Sequence, residues 1–238
     1  MKTLDQSYEE PAMNLACDEI LLNEVDSNQR EATLRFWEPQ SPFVVIGYGN
    51  NIHSECLIES CRRNNIQILR RISGGGTVLQ ARGCLNYSLI LPINDEFGTK
   101  NINSTNCHIM KTHQIAFNKA LNNGVTIEGH TDLALDGLKF SGNAQKRTKN
   151  ALVFHGTFLL NLEIKLLDLS LKMPSLEPKY RKGRSHHNFC RNIPISVSST
   201  KKLIKKTWEA QDIANPVDDK KIEELTITKY TQKKWIYR

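Results

Sequence analysis

The sequence predicts an α+β fold, because short strands follow one another with helices grouped between them instead of alternating strand by strand. Two kinds of apolar spacing carry this reading. Ala12, Leu15, Ala16 and Ile20 form one helical stripe, and Ala32 to Trp37 with Phe43 to Ile46 read as two short strands joined by a Pro-containing turn. A helix around Glu55 to Asn64 leads into a strand from Gln67 to Arg71. In Leu85 to Leu91, strict alternation puts Leu85, Tyr87 and Leu89 on one face and Asn86 and Ser88 on the other, so the polar face is expected to look into a site. Thr105 to Leu121 predicts a helix, and Thr131 to Phe140 and Ala151 to Leu160 predict two more strands across a polar turn. In the second of these, Leu152, Phe154, Phe158 and Leu160 share a face, with His155 and Thr157 opposite. Helices near Thr200 to Ala210 and Asp218 to Tyr230 follow.

With 238 residues and 39% hydrophobic content, the chain can bury one substantial core, and no repeat, linker or low-complexity tract divides it. One domain over residues 1–238 is expected. The opening Met1-Lys2-Thr3-Leu4-Asp5 is charged where a signal peptide needs an apolar run, and no stretch approaches the roughly 20 apolar residues of a membrane span. A soluble, cytoplasmic protein without a membrane partner is the expectation. Six cysteines, at 17, 56, 61, 84, 107 and 190, form no C-x-x-C pair and read as mostly buried thiols. His186-His187 with Cys190 lacks a second cluster at zinc spacing, so no metal ligands are assigned.

The net charge of +7 is uneven: residues 1–138 hold 11 Lys+Arg against 16 Asp+Glu, a net −5, and residues 139–238 hold 21 against 9, a net +12. The basic half is expected to face something acidic. Basic residues here are not interleaved with aromatics as a base-stacking platform requires, which argues against nucleic acid and leaves an acidic protein or an anionic small molecule.

Three blocks carry chemistry. Arg70-Arg71-Ile72-Ser73-Gly74-Gly75-Gly76-Thr77-Val78 joins two arginine forks to glycines that let backbone approach an anion; the same glycines also fit a hairpin turn. It is neither a Walker A loop, since no Gly-Lys-Ser/Thr follows at the required spacing, nor a dinucleotide fingerprint. Asp136 to Gln145 places Lys139 in an otherwise apolar strand, where an ammonium needs an anion. Phe154 to Asn161 carries His155, which read alone fits a satisfied core or surface histidine at least as well as a functional one.

In order, RRISGGGTV, LNYS, DGLKFSGNAQ and FHGTFLLN resemble the catalytic domain of lipoate–protein ligases, within the lipoyl and biotinyl ligase superfamily. NLACDEILL, VVIGYGNN and KYTQKKWIYR extend the resemblance over nearly the whole chain. It implies an α+β fold on a large mixed β-sheet with flanking helices. It also implies a two-step reaction with ATP and Mg²⁺: the carboxylate of lipoate or octanoate attacks the α-phosphate, and a lysine of an acceptor domain then takes the acyl group as an amide. The implied acceptors are acidic lipoyl domains of 2-oxoacid dehydrogenase or glycine cleavage type proteins.

Carried residue by residue, the resemblance makes Lys139 the catalytic lysine, contacting nucleotide and acyl group. Arg71, Gly75, Gly76, Thr77, Val78 and Leu79 join it in the nucleotide site. Arg70, Ser73, Gly74, Asn86 and Ser88, with Gly142, Asn143, Ala144, His155, Gly156 and Thr157, are assigned to the substrate site. Val45, Ile72, Val78 and Phe140 are the expected walls of an acyl tunnel.

Two departures qualify the resemblance. The C-terminal accessory domain of many such ligases has no counterpart in these 238 residues, so adenylation is expected either to need a separate small partner protein or to be replaced by acyl transfer alone. Related octanoyltransferases carry a nucleophilic cysteine shortly upstream of the site lysine, and Asn122 to Ala134 contains none. That favours an adenylate over a thioester route, with a transferase using a carrier-bound acyl donor as the alternative. The lysine motif differs from that of biotin ligases. A non-enzymatic binding module would leave Arg71, Lys139 and the triple glycine unexplained.

Overall fold

The computed structural model describes residues 1–238. Eleven strands run in chain order: β1 Lys2–Asp5, β2 Thr33–Trp37, β3 Phe43–Ile46, β4 Gln67–Arg70, β5 Val78–Gln80, β6 Cys84–Pro92, β7 Val125–Glu128, β8 Asp132–Leu135, β9 Leu138–Arg147, β10 Ala151–Leu159 and β11 Asp212–Ile213. The main helices are α1 Pro11–Asp26, α2 Ile52–Glu55, α3 Ile58–Arg63, α4 Ile102–Ala120, α5 Lys165–Ser170, α6 His186–Phe189, α7 Val197–Thr207, α8 Asp219–Leu225 and α9 Lys233–Ile236. A π-turn at Thr226–Tyr230 joins the last two.

Eight strands form one mixed sheet in the order β11-β1-β2-β6-β10-β9-β8-β7, parallel only where β1 meets β2 and β11. A second sheet of three strands has the order β4-β3-β5. β2 and β3, contiguous in sequence across a proline, therefore lie in different sheets, and the turn between them crosses from one layer to the other. The α+β class and the large mixed sheet agree with expectation.

The alternation in β6 explains the layering. Leu85, Tyr87, Leu89 and Leu91 join Ile109, Met110 and Phe117 of α4 and Ile204 of α7 in one core. Ile90 and Cys84 face a second core made with α1, the small sheet and the C-terminal helices. Burying both faces removes each strand's apolar side chains from water, at about 25 cal/mol per Å². α1 starts on Pro11, whose missing N–H costs nothing in a first turn, and buries two polar residues, Asn14 and Asp18. No helix is long and apolar enough to cross a membrane.

The expected strand Thr131 to Phe140 is in fact a hairpin. Asp136 (φ 53°) and Gly137 (φ 71°) both take left-handed backbone, the requirement of a tight two-residue turn, so β8 and β9 fold against each other there.

Candidate active site

A cavity of about 960 Å³ opens between the two sheets. Its floor comes from the polar faces of β6, β9 and β10: Asn86, Ser88, Gly142, Asn143, Ala144, His155, Gly156 and Thr157 all line it. The wall from the small sheet supplies Arg71, Gly75, Gly76, Thr77, Val78 and Leu79, and Lys139 stands on the rim of β9. Three sequence-assigned residues, Arg70, Ser73 and Gly74, are not among the lining groups. Of the expected apolar walls, Val45 and Val78 line the cavity; Ile72 and Phe140 do not, and Phe140 packs edge-on to Phe117 of α4 at 5.4 Å.

The triple glycine is not a hairpin turn. It joins β4 to β5, which are separated by β3, so the segment must cross over the end of the small sheet. Gly75 takes φ +85°, a conformation that a side chain strains. Arg71 holds the crossing from inside: its Nη2 donates to the carbonyls of Gly74 (2.5 Å) and Gly76 (2.7 Å), and its Nε to Ser73 Oγ (2.9 Å). Burial alone pushes its pKa down to about 10, with no carboxylate opposing the effect. A buried guanidinium without a counter-charge at a cavity wall favours an anionic occupant.

Arg70 is a correction to the sequence reading. Its side chain is completely buried and points away from the cavity, donating to the carbonyls of Gly47 (2.9 Å), Tyr48 (3.0 Å), Asn50 (2.8 Å) and Ile236 (2.7 Å). The physical reason is alternation along extended backbone: Arg71 directly follows the last residue of β4, so its side chain points opposite to that of Arg70, and only Arg71 reaches the cavity. Arg70 pins α9 to the β3–α2 turn.

Lys139 Nζ lies 2.8 Å from Asp132 Oδ1 on the neighbouring strand. Gly142 permits this path, because a Cβ there would sit 2.7 Å from the lysine nitrogen. The other oxygen, Asp132 Oδ2, accepts the Tyr180 hydroxyl at 2.8 Å. Tyr180 belongs to the segment between α5 and α6, which also ties Ser175 to Glu55 (2.6 Å) and Arg184 to the Gly137 carbonyl (3.2 Å), and so roofs the cavity from both walls.

With this geometry in view, comparison with known proteins decides the family. Residues 10–220 match the model of the lipoyl protein ligase A/B catalytic domain. The chain belongs to that family. It is 28% identical over 239 residues to lipoate–protein ligase 1 of Staphylococcus aureus, covering 96% of this chain and 70% of that protein. It is 31% identical over 169 residues to lipoate-protein ligase LplJ of Bacillus subtilis, covering 71% of this chain and 48% of that protein. Octanoyltransferase LipM of Clostridioides difficile is 29% identical over 197 residues, covering 74% of this chain and 71% of LipM. For LplJ, and for three further ligase-named relatives from Mycoplasma genitalium, Mycoplasma pneumoniae and Schizosaccharomyces pombe, the chain spans less than half of the relative's length. The fold is that of lipoate-protein ligase A solved with bound ATP (TM-score 0.81, 20% identity, 99% and 98% of the two chains). It is also that of the bipartite lipoate protein ligase of Thermoplasma acidophilum, whose partner is its E2 lipoyl domain (TM-score 0.79, 20% identity, 99% and 95%).

In this lipoyl ligase fold the structure adds Gln80, Tyr87, Asp132 and Tyr180 to the residues the motifs showed. Gln80, Asn86 and Thr157 close a ring in which Gln80 donates to Thr157 (2.7 Å), Thr157 to Asn86 (2.5 Å) and Asn86 to Gln80 (2.9 Å). Tyr87 donates to Asn143 Oδ1 at 2.6 Å, which orients the Asn143 amide toward the Thr131 carbonyl. Asp132 was legible in principle. Reading Asp136-Gly137 as a hairpin turn places Asp132 opposite Gly142, in register with the lysine motif. Tyr180 carried no sequence signal, because its contact depends on a long loop returning over the cavity.

Proposed function

We propose that the chain is an ATP-dependent lipoate–protein ligase catalytic unit: it activates lipoate or octanoate as the acyl-adenylate and passes the acyl group to a lysine of an acidic lipoyl acceptor domain. The observation that carries this reading is the pairing, in one cavity, of an unneutralised buried Arg71 in the glycine crossing with Lys139 across the sheet gap. Adenylation gathers negative charge where carboxylate meets α-phosphate, and fixed cations aimed at that point stabilise it most in the transition state. The ATP-bound neighbour and the ligase names among the relatives support the nucleotide, and the E2-partnered Thermoplasma system supports a lipoyl domain as acceptor.

Lys139 bridges nucleotide and acyl carboxylate in this reading. Gly75, Gly76, Thr77, Val78 and Leu79 line the nucleotide end. Asn86, Ser88, Gly142, Asn143, Ala144, His155, Gly156 and Thr157 shape the substrate end, with Val45, Leu159 and Leu171 as apolar wall. ATP brings Mg²⁺, which takes few protein oxygens when phosphates supply the rest. Asp132 fits that habit: it is the carboxylate at Lys139, and each oxygen keeps a lone pair beyond its bond to Lys139 or Tyr180.

The thioester alternative rests on Cys190, whose backbone pairs beside Lys139 and whose residue lines the cavity. Burial pushes that thiol's pKa up despite Lys139 and Arg181 nearby, the wrong direction for a nucleophilic thiolate. The deciding experiment incubates the chain with MgATP and lipoate, and separately with octanoyl carrier protein without ATP, and reads acyl-AMP and acylated lipoyl domain by mass spectrometry. Acyl-AMP in the first tube supports the ligase. ATP-independent acylation in the second, lost in Cys190→Ser, assigns the transferase instead.

A further inference from the structure

We propose that Asp18 is a positioning residue for the glycine crossing, acting on Arg71 through His155 and Ser73. The proposal rests on the reading of that crossing as a nucleotide site. Arg71 Nε can only donate, so Ser73 Oγ accepts it at 2.9 Å. Ser73 Oγ lies 2.6 Å from His155 Nε2, and the relay has the hydroxyl donate to that nitrogen, the direction the tautomer measurement below tests. With Nε2 accepting, neutral His155 carries its proton on Nδ1, the nitrogen that faces Asp18 Oδ2 at 3.8 Å. Asp18 is itself fixed on both oxygens, by Arg35 Nη1 at 2.6 Å and by Ser88 Oγ at 2.7 Å. Burial disfavours its ionised form, but Arg35, then His155 and Ser88, outweigh that and keep it a carboxylate.

The order aspartate, histidine, serine has the polarity of a hydrolase triad, yet the surroundings exclude that chemistry. Ser73 is completely buried and does not line the cavity, so its hydroxyl cannot reach an acyl carbon. Both nitrogens of His155 are directed into the protein, which leaves no basic atom for a substrate. What the chain of contacts reaches instead is Arg71, whose Nη2 holds the Gly74 and Gly76 carbonyls. α1, which packs on the cavity side of the large sheet, thereby fixes the conformation of the crossing that meets the phosphates, by second-contact support of the kind that orients binding groups.

The test has two arms on the full chain. In the first, MgATP affinity is measured by calorimetry for wild type, Ser73→Ala, His155→Phe and the double variant. Each single substitution should weaken binding about tenfold, and the double should be no weaker than the worse single, because both cut one chain. Wild-type affinity in Ser73→Ala, or effects that multiply in the double, would overturn the proposal. In the second arm, ¹⁵N NMR reads the His155 tautomer in wild type, in Asp18→Asn and, should loss of the Arg35 partner unfold that variant, in Ser88→Ala. The Nδ1–H form in wild type, eroded in either variant, is expected; an Nε2–H form in wild type sinks the relay. If wild type binds no ATP, the nucleotide reading itself has failed, and the tautomer arm alone decides whether Asp18 sets His155.

Discussion

Lys139 and Asp132 face each other across the β8–β9 hairpin at 2.8 Å, so the ammonium proposed to meet two anionic substrates already rests on a carboxylate. A lysine held this way is preorganised but neutralised, and an incoming carboxylate or phosphate must compete for it or share it. Lys139→Ala should lower acyl-adenylate formation about 10²-fold or more, the scale of removing one preorganised charge-stabilising donor. The fold should persist, since the lysine is only half-buried. Near-normal adenylation by folded Lys139→Ala, in a pyrophosphate-release assay, would take the lysine out of the mechanism.

Gly75 gives a second handle on the nucleotide end. At φ +85°, with the Arg71 Nη2 atom only 3.1 Å from where a Cβ would sit, Gly75→Val combines backbone strain with displacement of the guanidinium. ATP affinity should fall by roughly 10-fold or more, as loss of about 1.4 kcal/mol implies. Equilibrium binding on protein shown folded by circular dichroism checks it, and unchanged affinity would make the crossing a connector only.

The two arginines should separate stability from binding. Arg70→Met strips donors from buried carbonyls at Gly47, Asn50 and Ile236, and should cost roughly 3 kcal/mol of stability, the upper range for hydrogen bonds to a charged group. Arg71→Met should lower ATP affinity in addition. Denaturant melts and ATP titrations on both variants measure the split; equal binding loss in the two would return Arg70 to the site.

This pair also shows where the sequence stopped being legible. Motif order located the cavity floor because β6 and β10 alternate, which puts Asn86 and Ser88 on one face and His155 and Thr157 beside them; β9 does not alternate, and its Asn143 turns instead to Tyr87. It failed at Arg70 because two consecutive arginines look alike until the strand's facing is known. It missed the β8–β9 hairpin because Leu133, Ala134, Leu135 and Leu138 read as one apolar run, although Asp136-Gly137 marks the turn. The second, three-stranded sheet was invisible for another reason: β5 is three residues long, and its partner β3 is set by packing across the 31 residues between them.

His113 predicts a pH effect on stability rather than on chemistry. Its side chain is wholly buried among Tyr87, Phe158 and Trp208, its Nε2 accepts from Trp208 Nε1 at 2.8 Å, and its Nδ1 has no partner. Burial pushes its pKa down to about 3, so the folded protein keeps it neutral where the unfolded chain protonates it near 6.5. The unfolded state then binds more protons between those values, and stability is lost as pH falls below about 6.5, by about 2 kcal/mol at pH 5. Chemical denaturation at pH 7 and pH 5 should show that loss shrinking in His113→Gln, which titrates nothing. An undiminished loss in that variant would assign the acid sensitivity to other groups.

The last prediction concerns the roof segment and the acceptor domain. Residues 139–238 carry a net +12, and the roof exposes Lys179, which lines the cavity, and Lys182 three residues on. Arg181, an equally basic position in the sequence, is buried: it stacks on Phe189 at 4.8 Å and donates to the Arg184 carbonyl, so reversing its charge would disturb the roof itself. The exposed pair is therefore the right probe of docking. Complementary charge mainly accelerates encounter, and the Debye length shrinks from about 10 Å at 0.1 M salt to about 3 Å at 1 M. Transfer to an acidic lipoyl domain should slow on the order of 10-fold in the Lys179→Glu and Lys182→Glu double variant, and should weaken with salt in the parent chain. Acyl-adenylate formation, which does not engage the acceptor domain, should change much less in both cases. Single-turnover rates of the two half-reactions across a salt series make the comparison. Equal salt dependence in both, or transfer indifferent to the double reversal, would leave the roof lysines a solvated face and place the acceptor elsewhere on the molecule.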